Sequence, residues 1–261
     1  MSNPGRFVNL ELLTASIEKT IPFLVPLLGL EILFVEGESP FFGLAKQGVD
    51  VPYFGILGFE PDPAITSHWI GYLAVDDPAA AAATAVELGG AVYLAPEAPE
   101  DFDDDADVAP LVWLIGDPQG AVFALVPRAA QGIHVFDTGA DLGSPAWFEL
   151  TTNAVEAAAG FYAAVLGWEF SEPVDRGEEG LAREIYLDGH VYGVIRQLQS
   201  GSPRPPHWVP FLRVAALDAA LGKVRGFGGF FFEDAAVVPG GRRAIVLEPT
   251  GADIGLWQAA G

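Results

Sequence analysis

The chain of 261 residues has no cysteine, so disulfides, zinc–thiolate centres and cysteine nucleophiles are excluded. It is poor in positive charge. Thirteen Lys and Arg face 35 Asp and Glu, for a net charge of −22. A surface that acidic repels phosphate backbones and anionic lipid, so neither nucleic acid nor membrane is an expected partner. No apolar run is long enough to span a bilayer, because the most apolar early stretch, residues 21–30, is short and holds Pro22 and Pro26. The first residues lack a basic segment followed by an apolar core, so no export signal is read and a soluble cytoplasmic protein is expected. There is no Gly-rich phosphate loop and no Gly-x-Ser-x-Gly elbow. Half of the chain is hydrophobic, which supplies a full core. The densest acidic run, residues 97–107, lacks the glycine-punctuated spacing of a calcium loop and reads as a solvated loop.

What is present is a repeat. Leu28-Gly29-Leu30-Glu31 aligns with Leu166-Gly167-Trp168-Glu169 at an offset of 138, which also places Glu11 on Glu149. His68-Trp69 aligns with His207-Trp208, and Leu88-Gly89-Gly90 with Phe227-Gly228-Gly229, both at 139. Asp117-Pro118-Gln119-Gly120 aligns with Glu248-Pro249-Thr250-Gly251 at 131, the shortfall falling where the first half carries its acidic run. Ordered landmarks at nearly one offset indicate duplication. The expected domains are residues 1–127 and 144–261, joined by a linker over 128–143.

Each half has the same inner order. In the second, residues 146–152 predict a strand, Asn153 a helix cap, and Ala157, Phe161 and Val165 a helix face ended at Gly167. Strands follow at 168–170, 184–187 and 191–198, with Asp188-Gly189 as a hairpin turn. The cycle restarts at His207 with a strand, a helix from Leu217, and strands near 230–233, 243–247 and 253–258. That is βαβββ twice. In the first half the helices fall at 16–27, kinked or shortened by Pro22 and Pro26, and at 78–88, with Pro78 in the first turn. The fold class is α+β.

Trp147-Phe148-Glu149-Leu150-Thr151-Thr152, Phe161-Tyr162 and Leu166-Gly167-Trp168-Glu169-Phe170 together resemble the opening of a vicinal oxygen chelate module, the unit of the glyoxalase, bleomycin-resistance and extradiol dioxygenase superfamily. The stretch from Gly116 through Asp117-Pro118-Gln119-Gly120 to Leu125 resembles the closing strand of such a module. The resemblance covers both halves. It implies four modules paired into two domains, each a curved mixed sheet around a cleft with helices outside. In metal-dependent members the ligands come from the first strand of each module and the last strand of the second. Carried over one at a time, those positions are Asn9, Ile70 and Ala124 in the first half and Trp147, Val209 and Gly255 in the second. Only Asn9 could bind a metal, and weakly. No cofactor is therefore expected.

Alternation along strands offers a displaced set. Glu149, His207 and Asp253 lie two residues from those second-half positions; Glu11 and His68 are the first-half counterparts. Glu149 and His207 are candidates for acid–base catalysis, or with Asp253 for a shifted metal site; alternatively the histidines cap strand starts and the glutamates bond loop amides. Trp147, Phe211 and Trp257 share the inferred cleft parity, with Trp208 opposite, and Tyr72 stands for Phe211 in the first half. Such a wall suits a flat, hydrophobic organic ligand, or is core filling. Three functions follow: a metal-free binder of a small organic molecule, a metal-independent acid–base enzyme on a hydrophobic metabolite, and a metalloenzyme of dioxygenase or glyoxalase type with shifted ligands. The first is the leading expectation. Elemental analysis of the purified protein should find no stoichiometric transition metal; about one metal per chain, lost on changing Glu149 or His207, would contradict it.

Overall fold

The computed structural model describes residues 5–36, 41–62, 65–96, 111–128, 141–177, 180–199, 201–202, 204–238 and 240–260. The acidic run 97–107 lies outside them, as does the 128–143 stretch apart from 128 and 141–143.

Four βαβββ runs follow one another. The first is β1 (Arg6–Thr14), α1 (Ile17–Leu28), β2 (Glu31–Glu36), β3 (Phe41–Ala45) and β4 (Phe54–Gly58). The second is β5 (His68–Val75), α2 (Pro78–Glu87), β6 (Ala91–Leu94), β7 (Trp113–Gly116) and β8 (Val122–Pro127). The third opens with β9 (Pro145–Thr152) and α3 (Val155–Leu166). It adds a two-residue strand to the expected set, giving β10 (Glu169–Phe170), β11 (Val174–Asp175), β12 (Leu181–Leu187) and β13 (His190–Gln197). The fourth is β14 (His207–Arg213), α4 (Leu217–Val224), β15 (Phe230–Val238), β16 (Gly241–Leu247) and β17 (Asp253–Ala259). The fold is α+β with two mixed sheets. Their strand orders are β2-β3-β4-β1-β5-β8-β7-β6 and β10-β12-β13-β9-β14-β17-β16-β15. Within a run the opening strand pairs in parallel with the closing one, as in β1 with β4, β5 with β8 and β14 with β17, while the hairpin strands between are antiparallel. No helix among the described residues is long and apolar enough to cross a membrane.

Local chemistry explains the boundaries. α1 and α3 both end on a left-handed glycine, Gly29 at φ 68° and Gly167 at φ 72°, a conformation that costs a side-chain-bearing residue dearly. Asp77 caps α2 through its side chain, which accepts the Ala80 N–H at 2.9 Å, ahead of Pro78. Three expectations need correction. Ala157 is exposed, and Ala158 and Ala159 join Phe161 and Val165 on the buried face of α3. The residue at the N-cap of α3 is Ala154, not Asn153, and its N–H is taken by Thr152 Oγ1 at 3.3 Å. Nor is α1 shortened, since it runs 12 residues like α3. Pro22 and Pro26 both lie on its exposed side, where water can take the freed carbonyls, while Phe23, Leu24, Leu27 and Leu28 hold the buried face.

The chain divides into two compact units. One comprises Met1–Val8, Gly71–Val135 and Leu150–Trp208; the other comprises Asn9–Ile70, Phe136–Glu149 and Val209–Gly261. Each is tied by a buried turn carboxylate. In the first unit, Asp117 Oδ1 accepts the N–H groups of Gln119 and Ala121 at 2.9 and 2.8 Å. Its Oδ2 accepts the hydroxyl of Tyr162 in α3 at 3.1 Å, and that hydroxyl accepts the Trp208 indole N–H, also at 3.1 Å. In the second unit, Glu248 Oε1 accepts the N–H groups of Thr250 and Ala252, each at 3.0 Å, and Oε2 accepts the hydroxyl of Thr20 in α1 at 2.9 Å. The duplicated turns thus do the same work with different side chains: each pins a helix to the turn before a closing strand.

Burial raises Asp117 above its ordinary 3.8, against the opposing pull of its hydrogen bonds, and pushes Tyr162 well above 10. Folded Asp117 therefore holds its proton more tightly than unfolded Asp117. The stability it contributes is full below 3.8 and is lost as pH rises through the folded value. Relative to Asp117→Asn, the native chain should lose stability as pH rises across that window, read by thermal unfolding at a series of pH values; a gap that widens in favour of the native chain would contradict this. Tyr162→Phe should cost about 1–3 kcal/mol by the same measurement, because it strips a buried acceptor and a buried donor of their partner.

Candidate functional site

The site is built on β9, β14, β16 and β17, with one residue from β15. Trp147 and Glu149 stand two apart on β9 and so share a face. The Trp147 indole N–H donates to Glu149 Oε1 at 3.0 Å. Phe211 on β14 lies opposite Gly255 on β17 in the parallel register, and Trp257 on β17 lies opposite Arg243 on β16 in the antiparallel one. Trp147 and Trp257 stack at 6.0 Å between centroids with 14° between planes. Val209, Phe211, Ile245 and Trp257 form a buried apolar floor, against which Ala146, Trp147 and Val238 pack partly exposed.

Arg243 is the centre of this arrangement. It is only 7% exposed. Its Nε lies 3.4 Å from Glu149 Oε1, and its Nη1 donates to Glu233 Oε2 on β15 at 3.2 Å. Its guanidinium carbon sits 5.5 Å from the centroid of the Phe211 ring, at cation–π distance. Glu149, 2% exposed, thus has one oxygen engaged by an indole and a guanidinium. Two carboxylates face the Arg243 guanidinium, and Arg213 on β14 stands opposite Trp257 on the same face.

The expected site residues are distributed as follows. Trp147, Glu149, Phe211 and Trp257 meet around Arg243. His207 opens β14, with Nδ1 2.8 Å from the Pro205 carbonyl and 3.2 Å from Thr151 Oγ1. His68 repeats the first of these contacts, with Nδ1 2.8 Å from the Thr66 carbonyl. Asp253 opens β17 beside Leu247, and its carbonyl accepts the Trp69 indole N–H at 2.8 Å. In the first half, Tyr72 stands opposite Ala124 and packs with Val112 on a cluster of Val8, Ala74 and Val126. Sequence reasoning missed Arg243 and Glu233. Arg243 shares a strand face with Ile245, but only the pairing of β16 with β17 brings it opposite Trp257.

The second-half positions that the resemblance assigns to a metal, Trp147, Val209 and Gly255, carry no ligating side chain. Trp147 commits its indole to Glu149, and Val209 is 1% exposed in the apolar floor. A Cβ on Gly255 would lie 2.5 Å from the Phe211 ring, so the ring fills the space a ligating side chain would cross. A buried guanidinium adjoins them. Among the described residues no group of three or more His, Asp or Glu is placed to hold a metal ion. Gly255→Ala should accordingly destabilise the protein by about 1–3 kcal/mol through overpacking against Phe211, measured by thermal or urea unfolding. An unchanged midpoint would show that this space is open.

Residues 146–178 match the family model for bleomycin resistance protein-like N-terminal segments. The chain is 33% identical over 218 residues to the anthracycline biosynthesis protein DnrV of Streptomyces peucetius, covering 80% of this chain and 72% of that protein. Its structure is similar to that of the Mn(II)-bound glyoxalase from Novosphingobium aromaticivorans, with TM-score 0.65 and 16% identity, over 99% of this chain and 83% of the other. It is similar as well to 2,2',3-trihydroxybiphenyl 1,2-dioxygenase from Sphingomonas wittichii, with TM-score 0.65 and 15% identity, over 98% and 91%. At such identities the structural likeness is one of fold. With that fold, the four βαβββ runs and a relative one-third identical over most of both chains, this protein belongs to the vicinal oxygen chelate superfamily of glyoxalases, bleomycin-resistance proteins and extradiol dioxygenases.

Proposed function

We propose that the chain binds a small, largely hydrophobic organic molecule on the aromatic face of its second half, without the metal triad of metal-dependent relatives. In this reading residues 1–127 and 144–261 are the two domains, and the second carries the main site. The observation that carries the proposal is the stacked Trp147–Trp257 pair beside the buried Glu149–Arg243 pair. Aromatic surface with few fixed polar groups is the composition of a small-molecule site. Large rings supply apolar contact with little side-chain entropy to lose, and a held polar pair can orient one substituent. The relative named for anthracycline biosynthesis supports a polycyclic aromatic ligand class.

Binding is favoured over acid–base chemistry by Glu149 and His207. One Glu149 oxygen is taken by two donors, and His207 Nδ1 is engaged at Pro205 and Thr151. Such anchoring suits fixed acceptors and donors more than groups that exchange protons with a substrate.

Calorimetric titration with doxorubicin, a tetracyclic anthracycline, tests the reading. Trp257→Ala should weaken binding by about tenfold, the worth of one lost stacking contact with its buried area. Tyr72→Ala should leave it within about twofold, as expected of a residue with no part in the contact. Equal losses in the two variants, or a loss confined to Tyr72→Ala, would move the site to the first half.

A further inference from the structure

A guanidinium has five N–H donors in a planar fork. In Arg243 the recorded partners use Nε, facing Glu149, and Nη1, facing Glu233. Among the described residues Nη2 has no acceptor, so it keeps both of its N–H groups, on a side chain that is only 7% exposed. Nη2 itself is not sealed off, so its N–H groups reach solvent, where a ligand oxygen can take the place of water. The surroundings hold the fork in place. Glu149 and Glu233 grip it from two sides, and the fully buried Phe211 ring backs it at 5.5 Å. The stacked indoles of Trp147 and Trp257 lie in the same cluster, Trp257 directly opposite Arg243 across the β16–β17 ladder.

Charge then decides what kind of oxygen fits. At the Arg243 fork itself an anionic ligand would meet the two carboxylates that already hold it, in a chain whose net charge is −22, while Arg213 stands on the same face opposite Trp257. In a medium of low dielectric those carboxylates repel an anion. A neutral carbonyl accepts a charge-assisted hydrogen bond without that repulsion.

Resting on the binding function above, we infer that Arg243 is its specificity group: Nη2 donates to a neutral acceptor oxygen, a ketone or quinone carbonyl, on a planar aromatic ligand lying against Trp147 and Trp257. The selected class is thus planar aromatic ketones over both bare hydrocarbons and aromatic carboxylates. Glu233 acts as a positioning residue that competes for one edge of the same fork.

The test uses three probes of nearly one shape: fluorene, fluorenone and fluorenone carboxylate. Affinities of the full-length protein are read by calorimetry. Fluorenone should bind about tenfold tighter than fluorene, the worth of one hydrogen bond to a charged donor, and the carboxylate should bind no tighter than the ketone. Removing Arg243 alone would strand buried Glu149, so the decisive variant is the double change Glu149→Gln with Arg243→Met, checked for folding by circular dichroism. It should abolish the preference for fluorenone while fluorene binding persists. Glu233→Gln lies at the partly exposed end of the cluster and serves as a second variant. It leaves Nη1 a neutral acceptor in place of a carboxylate, weakening the competing contact, and should increase the preference for fluorenone. Equal affinity for fluorene and fluorenone in the native chain would overturn the inference and leave the binding function standing. So would a preference unchanged in both variants, or a carboxylate that binds tightest. Binding of none of the three probes would overturn both.

Discussion

A guanidinium that is 7% exposed cannot sit against an aromatic floor unless carboxylates come with it, and that constraint organises the second half of this protein. Glu149 is one such carboxylate. It is 2% exposed and would itself be untenable as a lone buried charge. The Trp147 indole adds a neutral donor to the same oxygen that faces Arg243. Once the pair is fixed, its neighbours are constrained. Phe211 places its ring 5.5 Å from the guanidinium carbon, Gly255 must lack a side chain because the ring is there, and Trp257 stands opposite Arg243 across the ladder. Among the described residues no group of three or more His, Asp or Glu is placed to hold a metal ion, and on this face an organic cation and an aromatic ring stand beside Val209 and Gly255.

The fold is held by a parallel device in each compact unit. A turn before a closing strand carries one buried carboxylate that satisfies its own turn and accepts a helix hydroxyl. The duplication kept this logic while the chemistry diverged, from Asp117 with Tyr162 to Glu248 with Thr20. The second unit adds Ser67, Thr14 and Thr250, so that its hydroxyls form a chain, with Thr14 2.7 Å from Thr20 and Ser67 2.6 Å from Thr250. Hydrogen-bonded groups of this kind are cheap to bury when every member has a partner and costly when one is removed.

Much of this was legible in the sequence. The repeat was visible because glycines at helix ends and turn residues before closing strands sit where the backbone demands them, and Gly29 and Gly167 indeed carry the left-handed conformation. Trp147, Glu149, Phe211 and Trp257 could be placed on one face because β9, β14 and β17 alternate without interruption over those residues. Other features depended on tertiary register. Arg243 enters the cluster through the pairing of β16 with β17, which alternation along one strand does not supply. Glu233 lies on a strand whose register shifts on both sides of it, so parity counted from Phe230 assigns no face. Pro22 and Pro26 were read as kinking or shortening α1 because a sequence does not say which carbonyls will face water. The extra short strand β11 pairs only two residues with β12, too few to leave a pattern.

The aromatic face around Arg243 in the second half is the proposed ligand site. A crystal structure of the protein soaked with fluorenone tests it most directly. Ligand density is expected against Trp147 and Trp257, with the carbonyl oxygen within hydrogen-bond distance of Arg243 Nη2. Density only beside Tyr72, Ala74 and Val126 in the first half, with Trp147 and Trp257 still stacked on each other, would contradict it and show those indoles to be core.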